Sequence, residues 1–224
     1  MKIALAQLNA TVGDLQGNCH RMIEIYRRAV DDGAELVVTP ELSVTGYPPR
    51  DLLAKKRFVQ DNLRALESLA ALTGPVPLIA GYVDVNPRHP GKDYFNAAAV
   101  LQNGTIAERR FKTLLPTYDV FDEDRYFQPA PSTSSVSVAG RRVGLTICED
   151  IWNAQNFWPV RLYPRDPVSE LIAADPRLEL IVNISSSPFH LGKERVRYEM
   201  LRSVVLNHRR PLVYCNQVGG NDEL

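Results

Sequence analysis

Short β-branched runs alternate with amphipathic helical stretches along this chain, and that alternation restricts its fold more than any other feature. KIALAQL (2–8) and ELVVTP (35–40) read as strands. Between them, 18–32 carries Met22, Tyr26, Ala29 and Val30 on one helical face. A second helical stretch, 58–72, sets Leu63, Leu66, Leu69 and Ala70 along one stripe. The rhythm then changes. VPLIAGYVDV (76–85) and YFNAAAVLQNGTIAERRF (94–111) read as strands in series, with Asn103-Gly104 as a hairpin turn. A further hairpin is predicted around Ala139-Gly140, in SSVSVAGRRVGLTIC. After it come a helix near 159–174, the strand LELIVNIS (178–185), a helix over 192–210 and the strand PLVYCNQ (211–217). Buried strands joined by crossover helices pair in parallel, and the middle hairpins add antiparallel neighbours. The fold class is therefore α/β, with mixed sheets inside and helices outside. No fixed-period repeat or linker divides the chain, so residues 1–224 read as one domain. PAPSTSS (129–135) is a surface loop. The last strand runs into VGGNDEL and stops, which reads as a domain cut before its final strands.

Composition excludes several classes of function. Lys and Arg total 26, as do Asp and Glu, so no basic excess exists to neutralise nucleic-acid phosphates. No run approaches the ~18 apolar residues that span a bilayer. Gln7 and Asn9 interrupt the first apolar run, which makes it a strand and a poor export signal. With three scattered cysteines, Cys19, Cys148 and Cys215, a reducing cytoplasm is the expected compartment. His20, His89, His190 and His208 lack metal-ligand spacing, and no phosphate-binding glycine loop occurs. No cofactor is expected in this chain.

Three strand ends each deliver one reactive side chain: Glu41 after ELVVTP, Lys112 after ERRF, and Cys148 after GLTI. Loops at the C-terminal ends of strands are where α/β proteins place their sites. Cys148 is followed at once by Glu149 and Asp150, and two carboxylates make a thiol harder to ionise. The ammonium of Lys112 could offset them and favour the thiolate, Glu41 could carry the proton, and the Glu149 N–H could donate to an oxyanion. Together these would perform acyl transfer through a thioester. A cysteine at a strand end is equally a small buried hydrophobe, and periodicity cannot bring the three side chains together. The residue pattern leaves both readings open.

TPELSVTGYPPRDLL, FKTLLPTYDVFDEDRYF and LTICEDIW, in that order, resemble the three signature blocks of the nitrilase (carbon–nitrogen hydrolase) superfamily. AQLNATVGDLQGN and NISSSPFHLGK narrow the resemblance to the glutamine amidotransferase domains of glutamine-dependent NAD+ synthetases, over nearly the whole chain. The resemblance implies a nitrilase-like α-β-β-α sandwich, truncated at its C-terminus. It implies a Glu41–Lys112–Cys148 triad, with Glu123 helping to position the lysine and water. Tyr47 and Tyr118 are implied to line the glutamine site, and Glu149 to meet the α-ammonium. Ser187 and Lys193 are implied to hold the free carboxylate, with lysine where many relatives carry arginine. The partners implied are glutamine, a synthetase domain that accepts ammonia and uses ATP and magnesium, and further copies of the chain. Two rivals remain: a stand-alone hydrolase of another amide or nitrile, and an idle interaction module. The helical stripe Val196, Met200, Val204 fits the core better than an interface.

Overall fold

The computed structural model describes residues 1–88, 90–154 and 157–221. Two mixed sheets lie face to face. The first has five strands in sequential order: β1 (Ile3–Leu5), β2 (Leu36–Val38), β3 (Leu78–Val85), β4 (Tyr94–Gln102) and β5 (Thr105–Phe111). Pairs β1/β2 and β2/β3 are parallel, and β3/β4 and β4/β5 antiparallel. The second runs β6 (Val136–Val138), β7 (Arg141–Ile147), β8 (Leu180–Ser185), β9 (Leu212–Asn216), antiparallel only at its first pair. Leu36, Val38, Ile79, Ala98 and Val100 of the first sheet pack against Val143, Leu145, Ile147, Val182 and Ile184 of the second. These strands are covered on both faces, which is why they read as unbroken apolar runs.

Helices α1 (Leu15–Asp31) and α2 (Lys56–Ala71) cover the outer face of the first sheet, burying Met22, Tyr26, Ala29, Leu66, Leu69 and Ala70. Val30 and Leu63 are only partly buried there. The short helix α3 (Glu123–Tyr126) lies in the segment that follows β5. Helices α4 (Pro167–Ala174) and α5 (Lys193–His208) back the second sheet. Met200 and Val204 of α5 enter that core, while Val196 stays 39% exposed, so the stripe is core over two of its three positions. The two predicted hairpins form at Asn103-Gly104 and Ala139-Gly140, all four residues at φ between 50° and 76°. Both turns thus take the left-handed geometry that matches strand twist.

Two boundaries differ from the sequence reading. Only Ile3–Leu5 of 2–8 pairs as strand. The helix predicted from 159 begins at Pro167, where Asp166 caps it by accepting from the Ser169 N–H at 3.1 Å. Pro159 and Pro164 lie in the segment before it, and proline cannot donate to a helical ladder.

Strand direction sets where the site lies. Strands β1, β2, β3 and β5 run the same way, so the residues after β2 and β5 emerge at one end, where antiparallel β4 begins. Gly81 of β3 lets the turn after β2 sit close. A Cβ there would lie 2.3 Å from the Leu42 backbone nitrogen and 2.6 Å from the Pro40 carbonyl. Leu42 itself takes φ 46°.

Candidate active site

Two of the three reactive side chains, Glu41 and Lys112, meet directly, and Cys148 lies within their electrostatic reach. Lys112 Nζ donates to Glu41 Oε1 at 2.7 Å and to Glu123 Oε1 at 2.7 Å, with the lysine and Glu41 fully buried. Asn96 of β4 donates its side-chain N–H₂ to Glu41 Oε1 at 2.8 Å and Glu123 Oε2 at 3.3 Å. The backbone N–H of Ser186, just past β8, closes on Glu41 Oε2 at 2.9 Å. Tyr47 gives its hydroxyl to Glu123 Oε1 at 2.7 Å. Two carboxylates thus share one ammonium in a place closed to water. Burial lifts the Glu123 carboxyl to about 7, with Lys112 opposing and Glu41 adding.

Cys148 opens a 3-10 turn, Cys148–Ile151, directly off β7, with φ 43°. A side chain other than glycine in that region costs about 1–3 kcal/mol, a strain found where a nucleophile must project from a sharp turn. The thiol is 3% exposed and electrostatically coupled to Glu41, Lys112, Glu149 and Glu123. Lys112 was expected to favour the thiolate. Instead burial, then Glu41, push the thiol well above its usual value, and the lysine opposes this only in part because two carboxylates already hold it. The resting sulfur is therefore neutral. Glu41 retains an acceptor position. Oε1 takes two donors and Oε2 takes the Ser186 N–H, while a carboxylate has about four acceptor positions. Lys112 likewise keeps one of its three N–H donors.

The two acids after the cysteine divide into different tasks. Asp150 turns inward. Its Oδ1 accepts from the Thr113 and Leu114 N–H groups, both at 2.9 Å, and its Oδ2 from the Ile147 N–H at 3.0 Å. It therefore ties the segment after Lys112 to the nucleophile turn. Burial holds its carboxyl up to about 6 against the pull of those donors. We expect Asp150→Ala to lose at least ~3 kcal/mol of stability, since it strands three buried N–H groups at roughly 1–3 kcal/mol each. Asp150→Asn, which keeps one acceptor oxygen, should lose less; urea denaturation of the two variants measures the difference.

Glu149 faces outward into a cavity of about 370 Å³ walled by Tyr118, Phe121, Trp152 and Tyr163, with Lys193 also on its lining. Tyr118 donates its hydroxyl to both Glu149 oxygens at 3.0 Å. Lys193 Nζ sits 5.5 Å from the Trp152 ring centre, within cation–π range. Burial raises Glu149 and lowers Lys193, Arg197 adding to the latter. Ser187 lies elsewhere. It lines a second cavity, of about 390 Å³, with Arg197, Asn216 and Gln217, which Lys193 also borders. Ser187 Oγ accepts from Arg197 Nη2 at 3.1 Å, and its N–H donates to Asn216 Oδ1 at 2.9 Å. Tyr47, implied to line the glutamine site, is 2% exposed with its hydroxyl committed to Glu123.

Sequence reasoning missed Asn96, the Ser186 N–H, Tyr163 and Arg197. A lone asparagine inside the apolar run YFNAAAVL was the one signal available, since a buried amide needs partners. Among the described residues, no group of three or more His, Cys, Asp or Glu could hold a metal ion, and no helix is long and apolar enough to cross a membrane. His89 lies outside the described residues.

A sandwich of two mixed sheets with a buried Glu–Lys–Cys constellation at the strand ends is the architecture of a carbon–nitrogen hydrolase. The carbon–nitrogen hydrolase family matches residues 2–224, and the chain belongs to it. The chain is 40% identical over 228 residues to the glutamine-dependent NAD(+) synthetase of Synechocystis, covering 99% of this chain and 40% of that protein. It is 39% identical to that of Thermotoga maritima, covering all of this chain and 36% of that protein. Among solved structures, the glutamine-dependent NAD+ synthetase of Acinetobacter baumannii, in complex with ADP, superposes with a TM-score of 0.86 at 31% identity, over 98% of this chain and 39% of that one. A mutant Nesterenkonia amidase of the nitrilase superfamily shares the fold, with a TM-score of 0.79 at 22% identity over 99% of this chain and 78% of that one. The chain spans about two-fifths of the length of the curated relatives it matches. It is a carbon–nitrogen hydrolase domain homologous to part of these synthetases.

Proposed function

We propose that residues 1–224 form a glutaminase domain that releases ammonia from glutamine through a cysteine thioester. One observation carries the choice of substrate: Glu149, next to the nucleophile, and Lys193 line the same cavity. Burial holds the acid up and the base down, so an opposite charge brought to either would be favoured. A free amino acid supplies both, its ammonium to Glu149 and its carboxylate to Lys193, with its side-chain amide directed at Cys148. A neutral amide or nitrile supplies neither.

Cys148 Sγ attacks the amide carbon as its proton passes to Glu41. The free N–H of Lys112 and the Glu149 N–H, unpaired within its own helical turn, stabilise the oxyanion. Glu41 returns the proton to the leaving nitrogen, and ammonia departs. Water, deprotonated by Glu41, then cleaves the γ-glutamyl thioester to glutamate. Glu123 and Tyr47 hold Lys112 in place throughout. The ammonia acceptor would be a synthetase domain, where ATP and magnesium belong; the chain itself needs no cofactor. It would work in the cytoplasm and as a homo-oligomer.

An amide panel tests this reading. Glutamine should exceed propionamide by at least ~100-fold in kcat/KM, because each unpaired buried charge left behind costs ~1–3 kcal/mol. Glu149→Gln should erase most of that preference by raising KM for glutamine. A preference for uncharged amides would overturn the pocket assignment. Labelling of Cys148 by a thiol-reactive glutamine mimic without turnover would favour an idle module.

A further inference from the structure

We propose that Asn96 is a positioning residue that decides which of the two buried carboxylates carries their shared proton, keeping Glu41 ionised as the base. The inference rests on the hydrolytic reading above. It starts from unequal hydrogen bonds. Glu41 receives three close donors: Lys112 Nζ at 2.7 Å, Asn96 Nδ2 at 2.8 Å and the Ser186 N–H at 2.9 Å. Glu123 receives two, Lys112 Nζ and the Tyr47 hydroxyl, both at 2.7 Å on Oε1. Its Oε2 meets Asn96 only at 3.3 Å. Hydrogen bonds to a carboxylate favour its charged form, so the better-served carboxylate stays ionised.

The amide orientation is forced. Turning Asn96 over would set its carbonyl oxygen against Glu41 Oε1, oxygen to oxygen. The side chain therefore points its donors at the two acids, and its Oδ1 is left buried with no partner among the described residues. A buried acceptor is given up so that a donor can serve the acids, which marks the amide as more than packing. Its backbone carbonyl also accepts from the Lys112 N–H at 2.8 Å, so one residue sets the lysine strand and both carboxylates.

The titratable and charged groups around this point are Glu41 from the exit of β2, Tyr47 from the loop beyond it, Lys112 from the exit of β5, Glu123 of α3, Cys148, Glu149 and Asp150 from the exit of β7, and Tyr163 from the segment before α4. One ammonium among these acids leaves a surplus negative charge, and Glu123 holds its proton into the neutral range. Without the Asn96 donor, Glu41 loses a 2.8 Å bond and Glu123 only a 3.3 Å contact. The proton then moves toward Glu41, which cannot accept one from Cys148 while it carries it.

The pH dependence of Cys148 alkylation by iodoacetamide, resolved by peptide mass spectrometry with Cys19 and Cys215 as internal references, tests this without requiring turnover. In Asn96→Ala the acid-side midpoint should rise by about one pH unit, a roughly tenfold slower reaction below it. The isosteric Asn96→Asp should move it the same way, because the new acid can donate to one neighbour only by holding a proton of its own. Thermal melts establish that each variant is folded, and Asp decides if Ala is not. A slower reaction with an unmoved midpoint would make Asn96 a packing residue and overturn the inference. Failure of the hydrolytic reading would show separately, as wild-type protein that alkylates normally and leaves glutamine intact.

Discussion

Replacing Cys148 by alanine should lower kcat for glutamine hydrolysis by about 10⁵-fold or more, the scale seen when a covalent nucleophile is removed. The site offers no substitute. The other free cysteines are Cys19, half-buried on α1, and Cys215, buried between the sheets. Burial pushes these thiols to about 11 and about 12, and each bonds a backbone carbonyl, that of Ala65 and that of Val38. Alanine at either position should leave turnover within about twofold. Cys148→Ala should still bind glutamine, since Glu149, Tyr118 and Lys193 are untouched, and calorimetry on the inactive variant measures that directly. The fold should survive as well. The Asp150 clamp holds the turn whatever side chain stands at 148, and alanine removes a single buried sulfur. Hydrolysis that persists in this variant would end the thioester mechanism, and loss of both binding and folding would mean the cysteine is structural.

The site was legible to the degree that strand ends are legible. Apolar runs mark where strands stop, and the residue after each stop was Glu41, Lys112 or Cys148. That Glu41 and Lys112 meet follows from direction: β2 and β5 run the same way because β4 between β3 and β5 reverses the chain once and β5 reverses it again. What was not legible depends on pairing register. Asn96 faces Val83 across β3/β4, and that placement brings its amide to the acids. The Ser186 N–H is a backbone group with no sequence signature. Asp150 and Glu149 look alike as letters, yet one faces three backbone donors and the other a cavity. The 159–174 helix was overextended because apolar spacing continued through prolines that forbid the ladder.

The charge balance of the site gives a prediction that activity alone would miss. Lys112→Met removes the ammonium and leaves Glu41 and Glu123 facing each other in a region closed to water. Breaking a buried ion pair from one side costs about 3–5 kcal/mol, because the partner charges stay behind without compensation. The loss should depend on pH in a definite direction. In the wild type the burial of Glu123 already holds its carboxyl near 7 with the lysine opposing. Without Lys112, which opposes the shift, the Glu123 carboxyl in the folded state moves further above its unfolded value. An acid raised on folding favours the folded state least where the unfolded chain is ionised and the folded group must follow. Stability is therefore retained at low pH and lost as pH rises through the folded-state values. Lys112→Met should sit close to wild type at pH 5, where Glu123 holds its proton, and fall short by several kcal/mol at pH 8, as read by urea denaturation at each pH. Lys112→Arg keeps the charge, and should narrow the gap at pH 8 while the larger guanidinium still disturbs a site built around 2.7 Å contacts. An equal deficit at both pH values would mean that lost packing, and not stranded charge, is what the lysine prevents.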